Sequence, residues 1–465
     1  MNDTVESRLV SRICNVCNSS FAICTTSHPR CSESSCIYIH DFIYAIVIRE
    51  YNPRVAEGYF RRRLSSTGAL LIIGPKRCGK TTIAEQMSSS TIHLQDPDRR
   101  DTYQYMARTK PSSLLEGEKP HLIAEWQEAP RIWDAIRLDV DRNNSRGEYI
   151  LTSSSIPGEE RDAERWHTGT GRISTVRLRT MSTYEIGISD GGVSLKTLFE
   201  GRTDFDAVSI LSLDELAALV CRGGWPDAWK ADDESALEVS RDYVDNLVNR
   251  EVSAIDGTRR DPHITASVLR SLSENLCTTA DTSSIVSELR DRACRSTVLN
   301  RLDALRRLHV TEDVPSWHPA LTSKAGVRSA PKRCLADPSI AVASMRISPD
   351  ALLHDMPQLE VLFESMCIRD LRVYSQVLDG AVMHYHDNTG LEVDIIVELP
   401  DGRWGAFEVK LNRGEDDAAR SLLRLRNKIS ADSAEPSFLA VLTGAGFFHI
   451  RDDGVMVVPI GCLGP

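Results

Sequence analysis

Ala69-Leu70-Leu71-Ile72-Ile73-Gly74-Pro75-Lys76-Arg77-Cys78-Gly79-Lys80-Thr81-Thr82 is the stretch that decides the fold. Its first five residues are continuously apolar, which predicts a strand covered on both faces, as in a parallel sheet. The loop behind them reads G-x-x-x-x-G-K-[ST], a string with a physical meaning between a strand and a helix. Its glycines let backbone N–H groups curl around phosphates. A helix predicted from about Lys80 to Met87 adds the positive end of its dipole. Lys80 is expected to reach the β- and γ-phosphates, and Thr81 to offer its hydroxyl to Mg²⁺. The expected ligand is therefore ATP with Mg²⁺, held by Gly74, Pro75, Lys76, Arg77, Cys78, Gly79, Lys80, Thr81 and Thr82.

Working outward, Leu122-Ile123-Ala124 predicts a second strand and Tyr149-Ile150-Leu151-Thr152 a third. Strands alternating with helices imply an α/β domain with a mostly parallel sheet. The second strand runs into Glu125, expected to orient an attacking water. Ala124 stands where an aspartate would anchor the metal, and losing such an anchor commonly costs about 10–100-fold in metal affinity or activity. Thr152 ends the third strand, where a hydroxyl either senses the γ-phosphate or caps a turn. His167-x-Gly169-x-Gly171-Arg172 follows. Arg172 is a candidate arginine finger, in cis or from a neighbouring molecule, with a plain surface arginine as the other reading.

The chain divides into four regions. Residues 1–50 form a cysteine-rich extension that holds five of the twelve cysteines. Cys14-x2-Cys17 and Cys31-x4-Cys36 leave a zinc site open beside a loose segment or a start codon placed too early. Residues 51–200 are the nucleotide-binding domain, 201–345 a helical region, and 346–465 a C-terminal α/β domain. The net charge of −11 gives no general pull toward nucleic acid, so any such contact needs a local basic patch. No apolar run reaches the roughly 18 residues of a membrane span. Ile37 to Val47 is broken by His40 and Asp41. With no secretory signal and scattered cysteines, the expected compartment is the cytoplasm.

In the middle, three helices predicted over 262–310 fit a winged-helix domain. Arg290, Arg292 and Arg295 precede the last helix, and Arg301, Arg306 and Arg307 lie on it. Arginines so placed suit DNA phosphates, or else the module is a lid or assembly element. In the C-terminal region Asp394 is followed, fourteen residues later and across a Pro400–Arg403 turn, by Glu408-x-Lys410. That spacing suits a PD-(D/E)xK nuclease core, in which Asp394 and Glu408 hold Mg²⁺ and Lys410 activates or orients water. Glu364 on the preceding helix adds a carboxylate.

A set of motifs in fixed order then points to a family. Pro53-Arg54, the glycine loop, Glu125-Trp126-Gln127 with Pro130, Leu151-Thr152-x-Ser154, Met181-Ser182-x-x-Glu185, Gly223-Gly224-Trp225-Pro226, Asp337-Pro338-Ser339 and Gly390-Leu391-Glu392-Val393-Asp394 all occur. Residues 51–465 resemble a prokaryotic family of AAA+-type ATPases. There a P-loop domain is followed by a winged-helix segment and a C-terminal restriction-endonuclease-like domain of unknown function. The chain departs from that pattern at Ala124, usually Asp, and at Ser153, usually Gly. The resemblance implies an ATP-binding AAA+-type ATPase coupled to a nuclease-like domain, with hydrolysis impaired by Ala124. Two rival readings are a nucleotide-dependent DNA-binding regulator without turnover and a metal-dependent DNase. Assembly with further copies of the chain stays open.

Overall fold

The computed structural model describes residues 51–156, 168–319, 330–411, 414–429 and 435–465. The cysteine-rich stretch with its zinc reading, and His167, lie outside the described residues.

Helix α1 (Ala56–Ser66) leads into β1 (Ala69–Ile73), and the glycine loop opens α2 (Lys80–Met87). Then follow β2 (Ser90–His93), β3 (His121–Ala124), α3 (Ile132–Asn143), β4 (Tyr149–Ser153) and β5 (Ile173–Arg177). The five strands are all parallel, in the order β2-β3-β4-β1-β5. Alternate side chains serve opposite faces. Leu70, Ile72, Leu122 and Ile150 pack with Phe60 and Leu64 of α1 and Ile83 of α2. Ala69, Leu71, Ile123 and Leu151 pack with Trp133, Ile136 and Val140 of α3. Coverage on both faces is why β1 is apolar at every position. In the parallel register Ile73 lies beside Ser153, and Ile123 beside Leu151. The carboxyl ends of β1, β3 and β4 therefore share one edge of the sheet, where α/β folds bind ligands.

The next region is helical: α4 (Leu213–Arg222), α5 (Asp233–Asn246), α6 (Pro262–Glu274), α7 (Thr282–Glu288) and α8 (Arg295–Arg307). Beyond α8, Thr311 bridges Leu335 and Val314 bridges Lys332, both antiparallel. Two further helices, α9 (Pro338–Met345) and the long α10 (Met356–Gln376), lead into a second sheet. Its elements are β6 (Ala381–His386), β7 (Glu392–Glu398), β8 (Trp404–Lys410), α11 (Glu415–Ile429), β9 (Phe438–Thr443), β10 (His449–Ile450) and β11 (Met456–Pro459). Strand order is β10-β11-β9-β8-β7-β6, with β8, β9 and β11 mutually parallel. The turn at 400–403 does join β7 and β8 as an antiparallel hairpin.

A buried polar lattice ties these regions together. Asp337, at the N-cap of α9, accepts from Thr180 Oγ1 at 2.7 Å, from Gly224 N at 2.9 Å and from Arg369 at 3.2 Å. Arg369 also pairs with Asp370 at 2.8 Å, and Asp370 accepts from Thr183 N and Oγ1. The side chains of Asp337 and Asp370 are wholly buried and that of Arg369 is 3% exposed. Trp225 Nε1 donates to Ser339 Oγ at 2.9 Å. Gly224 must be glycine here, because a Cβ would sit 2.1 Å from the Met181 carbonyl oxygen. The Gly223-Gly224-Trp225 and Asp337-Pro338-Ser339 motifs are thus two halves of one joint.

Breaking a buried pair costs far more than the pair contributes, since a charge is left without compensation. Asp337→Ala is expected to destabilise the chain by about 3–5 kcal/mol, measured by chemical denaturation. Asp379→Ala, at an exposed pair with Arg62, should change stability by about 1 kcal/mol or less.

Candidate nucleotide site and a C-terminal carboxylate cluster

The glycine loop has the backbone that its sequence requires. Gly74 takes φ 154° and Gly79 φ 98°, the latter opening α2. A Cβ at Gly74 would meet the Leu178 carbonyl oxygen at 2.1 Å, so the loop is pressed against the chain that follows β5. Lys80 is buried, and its ammonium donates to the carbonyls of Gly74 at 3.0 Å and Pro75 at 2.8 Å. It therefore lies within the loop that a triphosphate would occupy. The loop, the lysine and the N-terminus of the eight-residue α2 fit a nucleotide phosphate.

Arg54 holds the loop from behind. Its guanidinium donates to the Cys78 carbonyl at 2.9 Å and the Arg179 carbonyl at 2.8 Å, and pairs with Glu185 at 3.0 Å. Glu185 in turn accepts from the backbone N–H groups of Val55 and Ser182. Both side chains are nearly excluded from solvent.

Glu125 stands at the carboxyl end of β3 with left-handed backbone, φ 57°. Its carboxylate accepts from Ser154 Oγ and from Gln127 Nε2, both at 2.6 Å. Ser153 Oγ donates to Gln127 Oε1 at 2.8 Å. Ser153, where the family pattern has glycine, thus supports the glutamine that steadies Glu125. Thr152 is fully buried, and its hydroxyl accepts from Glu125 N at 3.1 Å. Its oxygen positions the β3 turn. Ala124 is buried and offers only a methyl group. Thr81 and the phosphates would then carry Mg²⁺ without a carboxylate from position 124.

The expectation for Arg172 in cis needs correction. Arg172 precedes β5, and its carbonyl accepts from Ala69 N at the start of β1. Its guanidinium pairs with Asp141 at 2.7 Å. The glycine loop follows the other end of β1. A five-residue strand, at about 3.3 Å per residue, separates them by roughly 16 Å. With β5 not recognised as a strand, sequence order does not reveal which edge of the sheet Arg172 serves.

The helical region faces the glycine loop. Lys76 pairs with Glu251 at 2.5 Å and Arg77 with Asp227 at 3.4 Å. Lys76 and Arg77 line a cavity of about 160 Å³ with Tyr243, Leu247 and Leu308. His309 is fully buried beyond α8, and burial, then Arg177 and Lys80, push its pKa down to about 3. Of the arginines proposed for DNA, Arg301 is buried, and Arg306 pairs with Asp303. Arg307 pairs with Asp256 and donates to the Ile156 carbonyl just past β4.

In the C-terminal domain, Asp394 of β7 accepts from Val409 N at 3.0 Å, with Glu408 and Lys410 flanking Val409 on β8. Glu408 is buried, and Lys410 pairs with Glu360 of α10 at 3.4 Å. Glu364, one helical turn beyond Glu360, joins the group through Lys332. The Lys332 ammonium lies 2.7 Å from Glu364 and 3.3 Å from Asp394. Sequence reasoning did not single out Lys332: it lies 62 residues from Asp394 and in no recognisable motif. Burial and then Asp394 push Glu364 up to about 8. Burial, then Asp394, also raises Glu408. Burial alone would raise Asp394, but Lys332, the Val409 N–H, Lys410 and Glu408 together outweigh it and hold that carboxyl below its usual range.

Comparison with known proteins adds to this geometry. Residues 66–187 match the model of an AAA domain. That stretch is a P-loop ATPase domain. Residues 213–351 and 360–463 match two domains of unknown function, DUF8612 and DUF4143. Uncharacterized proteins of Mycobacterium bovis and Mycobacterium tuberculosis are each 22% identical over 361 residues, covering 77% of this chain and 73% of theirs. A Walker-type ATPase of Pyrococcus abyssi aligns with 64% of this chain and 97% of its own at 14% identity. Its TM-score of 0.40 is too low to bear on the fold.

Lys80→Ala removes the one ammonium buried in the loop. Hydrogen bonds to charged groups contribute about 1.5–3 kcal/mol, so ATP affinity should fall roughly 10- to 150-fold in equilibrium binding with Mg²⁺. Arg172→Ala should leave that affinity within about twofold of wild type, because of its distance from the loop.

Proposed function

We propose that the chain is an ATP-binding AAA+-type ATPase that uses Mg²⁺, hydrolyses ATP slowly because of Ala124, and passes its nucleotide state to a C-terminal nuclease-like domain. The carrying observation is the glycine loop, clamped by Arg54 through the Cys78 carbonyl and Glu185. The loop's backbone N–H donors must hold their geometry before the ligand arrives, and a buried arginine, held by Glu185 through both carboxylate oxygens and bonded to the Cys78 carbonyl, supports that. Lys80, Thr81 and Thr82 serve the phosphates and the metal in this reading, with Gly74, Pro75, Lys76, Arg77, Cys78 and Gly79 as the cradle.

Hydrolysis requires a positioned water. Glu125 is the residue for it, and its network with Ser154, Gln127 and Ser153 fixes its carboxylate. A non-glycine residue at φ 57° carries strain of order 1–3 kcal/mol, which the surrounding hydrogen bonds offset. The glutamate is therefore ready while the metal anchor is missing. That combination supports tight binding with slow turnover.

Coupling has a route. The Arg54–Glu185 clamp touches the loop, Glu185 accepts from Ser182, and Thr183 next to it is held by Asp370 of α10. From α10 the chain enters β6 and β7, which carry Asp394. A winged-helix reading of α6, α7, α8 and the following bridges goes with a lid role. Arg301 and Arg307 are already engaged inside the chain, which counts against their use on DNA.

Ala124→Asp tests the hydrolysis reading. Restoring the anchor should raise phosphate release about tenfold with ATP affinity little changed. Wild type should exceed Lys80→Ala. A wild-type rate equal to that of Lys80→Ala would remove the hydrolysis assignment and leave ATP binding to stand alone.

A further inference from the structure

The C-terminal cluster contains its own cation. Glu364 of α10, Asp394 of β7 and Glu408 of β8 line one part of the interior, yet among the described residues no group of three acidic, histidine or cysteine side chains is arranged to hold a metal. The Lys332 ammonium lies 2.7 Å from Glu364 and 3.3 Å from Asp394, with Glu392, two residues before Asp394, at 3.8 Å. Its side chain is 1% exposed. An ammonium at these distances donates to the same oxygens that would coordinate a metal, and two cations cannot share the position.

Lys332 is not a removable plug. Its backbone is pinned on both sides, with Lys332 N donating to the Val314 carbonyl at 2.9 Å and Val314 N returning to the Lys332 carbonyl at 2.8 Å. The next residue is anchored too. Arg333 pairs with Asp313 at 2.6 Å and donates to the Ala280 carbonyl. A lysine stem on so fixed a segment reaches one place, and withdrawing it would leave Glu364 and Asp394 buried without the cation that faces both.

We propose that Lys332 is the resident cation of this centre. It takes the place a divalent metal would hold between Glu364 and Asp394, so the C-terminal domain keeps a carboxylate cluster without a metal and without phosphodiester cleavage. The cluster then works as a joint. The segment carrying Lys332 comes from the helical region, and the carboxylates belong to α10, β7 and β8. The ion pairs therefore fix one region to the other. This inference stands apart from the ATPase reading, since it uses no residue of the nucleotide site.

The test is Mn²⁺ binding to the full chain in the absence of nucleotide, in a Lys80→Ala/Thr81→Ala background that removes the glycine-loop site. Wild type at position 332 should give the same isotherm as Asp394→Asn. Lys332→Met should gain a Mn²⁺ site at least tenfold tighter than any in wild type, and adding Asp394→Asn should abolish it. Mn²⁺ binding by the Lys332 protein that disappears with Asp394→Asn would overturn the proposal. So would a folded Lys332→Met protein that gains no site. If Lys332→Met does not fold, Lys332→Gln takes its place, and the comparison of the Lys332 protein with Asp394→Asn still decides. As a second readout, plasmid incubated with Mg²⁺ should show the same nicking with the natural chain and with Asp394→Asn. Asp394-dependent nicking would contradict the proposal.

Discussion

A buried arginine behind a glycine loop is the constraint on which the rest depends. Backbone N–H groups attract a triphosphate only if they already point at it, and glycines that permit such a curve also permit many others. Arg54 removes that freedom by holding the Cys78 carbonyl while Glu185 holds Arg54. The guanidinium suits this place because its planar fork satisfies several acceptors at once and stays charged when desolvated. Glu185 supplies the matching charge and also binds two backbone N–H groups. Without that match, a buried cation beside a phosphate site would be costly.

The same economy appears twice more. Asp337, Arg369 and Asp370 form a second buried lattice, and Lys332 with Glu364 and Asp394 a third. These two join elements from different regions: Asp337 and Lys332 come from residues 201–345, and Arg369, Asp370, Glu364 and Asp394 from residues 346–465. Apolar packing holds the regions compact, but such packing tolerates sliding. Buried ion pairs tolerate little, because a shifted charge loses its partner and keeps its desolvation cost. The three lattices are neighbours: Thr183, next to the Ser182 that Glu185 holds, donates to Asp370 of α10, and α10 also carries Glu364, and the proposed coupling would run along them.

What was legible in the sequence follows from how local each signal is. β1, the glycine loop and α2 were readable to the residue, because five apolar positions and the loop's glycines are contiguous. The β7–β8 hairpin was readable for the same reason. β2 and β5 were not. The first is a half-exposed edge strand of four residues. The second (Ile173–Arg177) is short and polar at three of its five positions, Ser174, Thr175 and Arg177, so it shows no clean alternation. Arg172 stayed open between an arginine finger and a plain surface arginine, because the flank of an unrecognised strand has no direction. Arg54 and Glu185 were visible only as parts of a family pattern, and their shared task emerges from packing. Lys332 gave no signal, since a lone lysine in a polar stretch reads as surface until the fold brings carboxylates around it.

The most direct test of the account is amide hydrogen exchange with and without a non-hydrolysable ATP analogue and Mg²⁺. Bound nucleotide should slow exchange in the loop at 74–82, in the clamp segment 179–185 and in α10 (Met356–Gln376), which the lattices join to it. Protection of all three is the predicted result. Unchanged exchange at 74–82 under saturating analogue would contradict the nucleotide site, and protection that stops at the loop would contradict the proposed coupling.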